Sequence, residues 1–304
     1  LYEKKKEFKG NKTATCMLKV ASFYKYTDIE NPEEFAEKHL EFCKELGIKG
    51  RILVAQEGIN GSVSGSEEQV ERYKEEMLLD QRFYGIEFKE EECLMHPFNK
   101  MKVKIKPDLV RFEQQVSYKE GGEHLSPEEF LQMAQEEDVV ILDVRNNYES
   151  RVGKFKNAIT PDIKTFREFP TVIDSLQDKK GKKIVMYCTG GIRCEKASAF
   201  LKKEGFSQVY QLHGGILNFA KELPDTIWEG KCFVFDKRLL SEVNAEDKPL
   251  TNCELCNIPC DLYKNCRNKD CDKLTITCLD CERSYGGCCS KECFNELFAN
   301  PFIA

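Results

Sequence analysis

Along residues 15–106, apolar and polar positions switch between a period of two and a period near that of a helix. ATCMLKVASFY alternates as a strand. Asn31-Pro32-Glu33-Glu34 starts a helix, with a cap at Asn31 and proline at the first helical position. That helix runs through FAEKHLEFCKEL to Gly47, and the apolar GRILVAQ follows as a strand. Asn60-Gly61 is a hairpin signal ahead of a short strand, SVS. Ser66 caps a second helix, EEQVERYKEEMLL, and MKVKIK is the last strand. The order βαββαβ predicts a ferredoxin-like (acylphosphatase-like) α+β domain over 13–110, behind a basic leader at 1–12.

The pattern then changes. Residues 111–124, with the polar YKEGGEH, are expected as a linker. Ser126-Pro127-Glu128-Glu129 opens a helix with a capping box. VVILDV, KKIVMYC and QVYQL are continuous apolar runs, typical of parallel strands buried on both faces. Alternating with helices, they predict a parallel α/β domain over 125–222. Residues 223–252 are expected as a connector, and 253–304 as a cysteine-rich segment with little core of its own.

Composition narrows the functional classes. The 304 residues allow two or three domains, and no apolar run reaches the roughly 18–20 residues of a membrane span. LYEKKKEFKG has no apolar stretch of the kind a secretory signal needs. The chain opens on leucine, which leaves the completeness of its N-terminus open. A net charge of −6 argues against DNA or RNA binding over the whole surface, but not against a local basic patch. Ten of the 16 cysteines fall between Cys253 and Cys293. In a long chain without an export signal, this predicts a cytoplasmic protein whose reduced thiols serve catalysis and metal binding.

One loop concentrates chemistry. Cys188 ends a buried strand, and Thr189, Gly190, Gly191, Ile192 and Arg193 lead into the helix CEKASAFLKKEG. The carboxyl ends of parallel strands are where open α/β sheets bind ligands. Loop amides and a helix N-terminus there lower a thiol's pKa. Gly190 and Gly191 let the backbone curl around the sulfur, and Arg193 adds a positive charge. Cys188 to Arg193 is C-x4-R, one residue shorter than the C-x5-R of cysteine phosphatases, a ring suited to a persulfide sulfur. A strand–helix turn with an inert cysteine is the alternative. Cys194 either resolves an oxidised Cys188 or packs at the helix start. Asp143 and Arg145 are expected as a buried ion pair that shapes the loops, with direct catalysis as the alternative. His213 either faces the same pocket or is structural.

VVILDVRNNYE, TFREFP, YCTGGIRCEKA and QLHGGI resemble the motif series of a rhodanese domain. With VAQEGINGSVSG and the cysteine-rich tail, the chain is similar over residues 13–295 to the rhodanese-type tRNA uridine hydroxylase family. The resemblance implies that Cys188 is the catalytic, persulfide-forming cysteine. It also implies oxygen-dependent hydroxylation of the wobble uridine (U34) in the tRNA anticodon loop to 5-hydroxyuridine.

Period-two alternation puts Lys100, Lys102, Lys104 and Lys106 on one strand face, with Met101, Val103 and Ile105 on the other. The lysines form either an RNA-binding stripe or an ordinary solvated face. Lys4-Lys5-Lys6 and the Lys179–Lys183 run could extend a basic track, and Glu57 and Asn60 are further candidates for RNA contact. In the tail, paired C-x2-C knuckles predict structural zinc. The simplest first site is Cys253, Cys256, Cys278 and Cys281. A second draws on Cys260, Cys266, Cys271, Cys288, Cys289 and Cys293, without a choice among them. Disulfides and an iron–sulfur cluster are the rivals. For the whole chain the alternatives are a sulfurtransferase carrying a persulfide, and a non-catalytic RNA- or protein-binding module with a redox-sensitive thiol.

Overall fold

The computed structural model describes residues 17–299, so the leader with Lys4–Lys6 lies outside the described residues. The first unit comprises β1 (Leu18–Tyr26), α1 (Pro32–Glu45), β2 (Lys49–Ala55), β3 (Gly58–Gly65), α2 (Glu67–Leu79), β4 (Glu87–Cys93) and β5 (Met101–Ile105). Its sheet has the order β4-β1-β3-β2-β5, antiparallel except that β5 runs parallel to β2. Helix α1 opens as expected, with the Asn31 side chain accepting from the Glu34 amide and Pro32 in the first turn. Ser66 and Gln69 close a capping box on α2. The two helices cover one sheet face, over Ala21, Phe23, Ile52, Val54 and Val63.

Two details differ from the sequence reading. MKVKI is not the final strand of the βαββαβ unit. That place belongs to Glu87–Cys93, and MKVKI is a fifth strand on the opposite edge. The run EFKEEEC does not look like a strand because its outward positions are charged, and those charges face other parts of the chain. Glu87 meets His213, Lys89 lines the central cavity, and Glu91 meets Arg238. The β2–β3 turn is Gln56-Glu57 rather than Asn60-Gly61, which is paired inside β3. Glu57 ties the turn down by accepting the Leu109 amide at 2.8 Å.

The second unit comprises β6 (Glu123–Leu125), α3 (Pro127–Met133), β7 (Val139–Asp143), α4 (Asn147–Ser150), β8 (Gly153–Phe155), α5 (Ile173–Leu176), β9 (Lys183–Tyr187), α6 (Ile192–Lys203), β10 (Val209–Leu212) and α7 (Gly215–Glu222). Strands β6-β10-β9-β7 form a parallel sheet. One face packs against α6 and a phenylalanine cluster at Phe112, Phe166, Phe169 and Phe200. The other packs against α3 and α7 through Phe130, Phe155 and Phe219.

Stretch 111–124 is therefore not a free linker. Phe112 sits in the second unit's core and Glu123 begins its edge strand, because an apolar ring and a backbone ladder repay the ordering of a polar segment. The connector is structural as well. β11 (Trp228–Gly230) pairs with β8, and β12 (Cys232–Phe233) pairs with β13 (Leu240–Ser241). The tail holds β14 (Tyr263–Asn265), β15 (Leu274–Ile276), α8 (Leu279–Ser284) and α9 (Lys291–Ala299). Its core is built largely from cysteines with Tyr263 and Ile276, closed by Val152 and Phe233 from outside. No helix among the described residues is long and apolar enough to cross a membrane.

Candidate active site and cysteine clusters

Cys188 follows β9 directly and is fully buried. The Gly191 amide donates to its sulfur at 3.1 Å. The Cys194 thiol and the amides of Arg193 and Cys194 also stand close enough to act on it. Burial alone pushes the Cys188 thiol up. The Cys194 hydrogen bond, the Arg193 guanidinium and the two amides outweigh burial and bring the thiol down to about 6. Cys194 moves the other way: burial and the negative charge of Cys188 hold it well above the ordinary thiol range. It is the protonated member of the pair.

Two glycines are required here by geometry. Gly191 has φ 102°, and a Cβ on it would stand 2.9 Å from the Tyr24 hydroxyl. Gly215, at φ 68°, would carry a Cβ 2.5 Å from the Cys188 carbonyl oxygen. The close approach lets the first amides of α7 bond the loop: Ile216 donates to the Cys188 carbonyl and Leu217 to that of Thr189. A Cβ at Gly190 would meet nothing within 4 Å, so that glycine leaves space open rather than enabling a turn.

Arg193 does not stand free beside the sulfur. Its guanidinium grips Glu149 in two-pronged fashion, at 2.5 and 2.7 Å, and also donates to the Thr189 hydroxyl at 3.2 Å. Glu149 is completely buried; burial works to raise its carboxyl, and Arg193 and Arg145 hold it below the usual carboxylate range. Glu149 is the residue that sequence reasoning missed. Its only signal is its place at the end of VVILDVRNNYE, six residues after Asp143. Asp143 and Arg145 form a buried ion pair at 2.6 Å, and Arg145 also donates to the Gly153 carbonyl and lies against Tyr187 and Trp228. Neither lines the cavity above Cys188. His213 is also outside it, bonded at 2.8 Å to Glu87 of β4.

That cavity measures about 370 Å³ and is built by all three parts of the chain. Cys188, Thr189 and Gly190 form its floor. Its roof is the helix-free face of the first sheet, with Tyr24, Arg51, Asn60 and Lys89. Residues 234–236 close one side. Lys89, a cation of the site besides Arg193, also escaped sequence reasoning. Its side chain is only 9% exposed and lies over the Tyr24 ring, and its burial pushes the ammonium down.

Contacts from α6 hold roof to floor. Lys196 reaches Glu57 at 2.8 Å, so Glu57 serves a domain contact, and Tyr24 donates to Glu195 at 2.9 Å. Lys100, Lys102, Lys104 and Lys106 are all exposed; Lys100 and Lys102 line a second cavity, whereas Lys104 and Lys106 line neither. In the run at 179–183, Lys179, Lys182 and Lys183 each have a carboxylate partner, so little free charge is left for a track.

Eight tail cysteines gather into two groups that could hold a metal ion. Cys253, Cys256, Cys278 and Cys281 form the first; Cys266, Cys271, Cys289 and Cys293 form the second. In each group the sulfurs all lie within 4.8 Å of one another. The Cys256–Cys278, Cys271–Cys289 and Cys289–Cys293 sulfurs are 3.7 Å apart. A tetrahedron of thiolates around an ion at about 2.3 Å has edges of about 3.8 Å, whereas a disulfide brings sulfurs to about 2.05 Å. The donor set fits a tetrahedral ion. Backbone amides support it, Cys278 donating to Cys253 and Cys289 to Cys266. Cys260 and Cys288 belong to neither group.

Comparison with known proteins agrees with this anatomy. Residues 18–109 match the UPF0176 acylphosphatase like domain, residues 126–222 the Rhodanese-like domain and residues 229–294 the Rhodanase C-terminal family. A Bacillus licheniformis protein named tRNA uridine(34) hydroxylase is 48% identical over 282 residues, covering 90% of this chain and 88% of its own. Proteins of the same name from Bacillus mycoides (48% over 286 residues) and Bacillus cytotoxicus (47% over 282 residues) cover 92% and 90% of this chain. On that similarity, running through all three parts that enclose Cys188, the chain belongs to the tRNA uridine(34) hydroxylase family.

Proposed function

We propose that this protein is a tRNA-modifying enzyme that hydroxylates the wobble uridine, with Cys188 as the reactive group. The observation that carries the reading is a thiol brought to about 6 beneath a cavity of about 370 Å³, in a chain 48% identical to proteins of that name. The cavity is within the roughly 300–1,000 Å³ of small-ligand sites. An anticodon-loop base is unpaired already, so turning it into the cavity costs little. A cytoplasmic location follows from a tRNA substrate.

The Cys188 thiolate adds to C6 of the uracil, forming a C–S bond and moving the C5–C6 electron pair onto C5, which takes up O₂ and a proton as a hydroperoxide; reduction of its O–O bond leaves the 5-hydroxyl and water, and loss of the C5 proton then expels the Cys188 sulfur from C6. Uridine, O₂, two electrons and two protons give 5-hydroxyuridine and water. We assign the electrons and protons to a thiol reductant, whose oxidation to a disulfide releases both. Arg193 and the loop amides keep the sulfur anionic. Cys194 stays protonated beside Cys188 and, as a neighbouring thiol, resolves an oxidised sulfur. Asp143 and Arg145 shape the loop without touching substrate. Zinc in the two cysteine clusters is structural, because four thiolates leave no open position.

The reading is tested by nucleoside mass spectrometry on tRNA from a strain lacking the gene. 5-Hydroxyuridine and its derivatives should vanish and return with the wild-type gene, not with Cys188→Ala. Unchanged nucleosides in the deletion strain would sink the proposal. A Cys188→Ser enzyme that still hydroxylates would remove the C6 adduct.

A further inference from the structure

Beside the cavity over Cys188 lies a second of about 680 Å³. The two share Arg51, Phe98 and residues 234–236 as a common wall. Beyond that wall the second cavity is lined by Lys100, Lys102 and Lys237. These lysines and Arg51 are exposed. Among the described residues only one carboxylate lines the same cavity, Asp236, and Arg238 already binds it at 2.7 Å. The second cavity therefore carries a net surplus of cations, and it opens beside a base-sized cavity.

The ridge between them ends in an aromatic ring. Phe235 is 52% exposed. One part of the ring rests edge-on against Phe233 with centroids 5.4 Å apart, and the Arg193 guanidinium lies 5.7 Å from its centroid. The turn that presents it is fastened on several sides. Leu239 donates to the Asp236 carbonyl and Lys237 to that of Pro97. The Arg238 amide donates to the Asp236 side chain, and the Arg238 guanidinium reaches Glu91 of β4. An exposed ring on a fixed turn loses little conformational freedom when something covers it. Aromatic faces next to a cationic groove are the two elements that bind unpaired nucleic acid.

We propose that Phe235 stacks on the base adjoining the extruded uridine, and that Arg51, Lys100, Lys102 and Lys237 hold the phosphates of that unpaired strand as it passes from one cavity to the other. The inference rests on the reading that a tRNA uridine occupies the cavity over Cys188. It separates the lysines of β5 and its approach. Lys100 and Lys102 belong to the binding surface, whereas Lys104 and Lys106 do not.

The test uses full-length, zinc-loaded protein and a synthetic anticodon stem–loop RNA with uridine at the wobble position, followed by fluorescence anisotropy across a salt series. Phe235→Ala should weaken binding roughly tenfold, within the range for one lost base stack, and Phe235→Trp should restore it. The loss should disappear when the base on one side of the uridine is replaced by an abasic residue. The combined change Lys100→Gln, Lys102→Gln and Lys237→Gln should flatten the slope of log affinity against log salt by about 2, at about 0.7 per phosphate contact on a single strand. Lys104→Gln with Lys106→Gln should leave it unchanged. Circular dichroism melts confirm that each variant is folded. Equal losses on base-bearing and abasic RNAs would overturn the stacking assignment, and an unchanged slope in the triple variant would overturn the phosphate assignment. Wild-type protein that binds with this coupling but leaves the uridine unmodified would instead sink the hydroxylase reading and leave the binding surface standing.

Discussion

The Cys194 thiol is the strongest single influence that keeps Cys188 ionised, and removing it gives a quantitative test. A hydrogen bond to a charged group contributes about 1.5–3 kcal/mol, and about 1.4 kcal/mol corresponds to one pKa unit. Cys194→Ala should therefore move the Cys188 ionisation from about 6 to between roughly 7 and 8. The assay is the pH dependence of iodoacetamide labelling on the Cys188 peptide, read by mass spectrometry on zinc-loaded protein. Rate at a single pH is a poor measure. At pH 7 a thiol of pKa about 6 is mostly thiolate, whereas an ordinary thiol is only a few per cent ionised. Each thiolate of lower pKa is, however, intrinsically less nucleophilic, by a Brønsted coefficient of about 0.4–0.5, which cancels much of that gain. The inflection is the informative quantity. Cys194→Ser keeps a donor and should keep the wild-type inflection. An inflection above pH 8 in the wild type, or the same inflection in Cys194→Ala, would refute the account of this site.

Other outcomes follow from the same geometry. Because the folded Cys188 thiol lies below its unfolded value, its contribution to stability is present in full above the unfolded pKa and lost as pH falls through about 6. Wild type should therefore gain on Cys188→Ser between pH 6 and 9, approaching about 4 kcal/mol in urea denaturation at the alkaline end. Glu149→Ala strands the buried Arg193 and should cost about 3–5 kcal/mol by the same measurement. Glu57→Ala should cost less, because Lys196 still reaches the Val110 carbonyl and Asp108. Elemental analysis should find two zinc ions per chain, falling to one in Cys253→Ser or Cys266→Ser and staying at two in Cys260→Ser. Chelation should lower the melting temperature, because ion binding supplies folding free energy to the tail.

What could be seen in the sequence was local. The strand, loop and helix around Cys188 occupy one continuous stretch, so their pattern and their chemistry appear together. The same holds for the first cysteine group, whose knuckles announce themselves by spacing. Partnerships across long separations could not be seen. Glu149 lies 44 residues before Arg193, and nothing in the spacing of either points to the other. The second cysteine group takes Cys289 and leaves Cys288, a choice between adjacent residues that only the path of the chain decides. EFKEEEC hid a strand because its charged side faces another part of the protein rather than water. Residues 223–252 looked like mere connection, yet Phe235 and its turn form a cavity wall, because their stabilising contacts are with Pro97, Glu91 and Arg193.

Successive residues on α6 divide their loyalties. Arg193 and Cys194 attend to the sulfur, while Glu195 and Lys196 are held by Tyr24 and Glu57 of the other unit. A rhodanese half cut out alone would lose both ties from the turn that carries Arg193 and Cys194, leaving Glu195 only His124 and Gln211. The two halves are thus not interchangeable modules. Recombination between relatives would have to carry Tyr24 and Glu57 together with Glu195 and Lys196, so the chain is inherited as one working part.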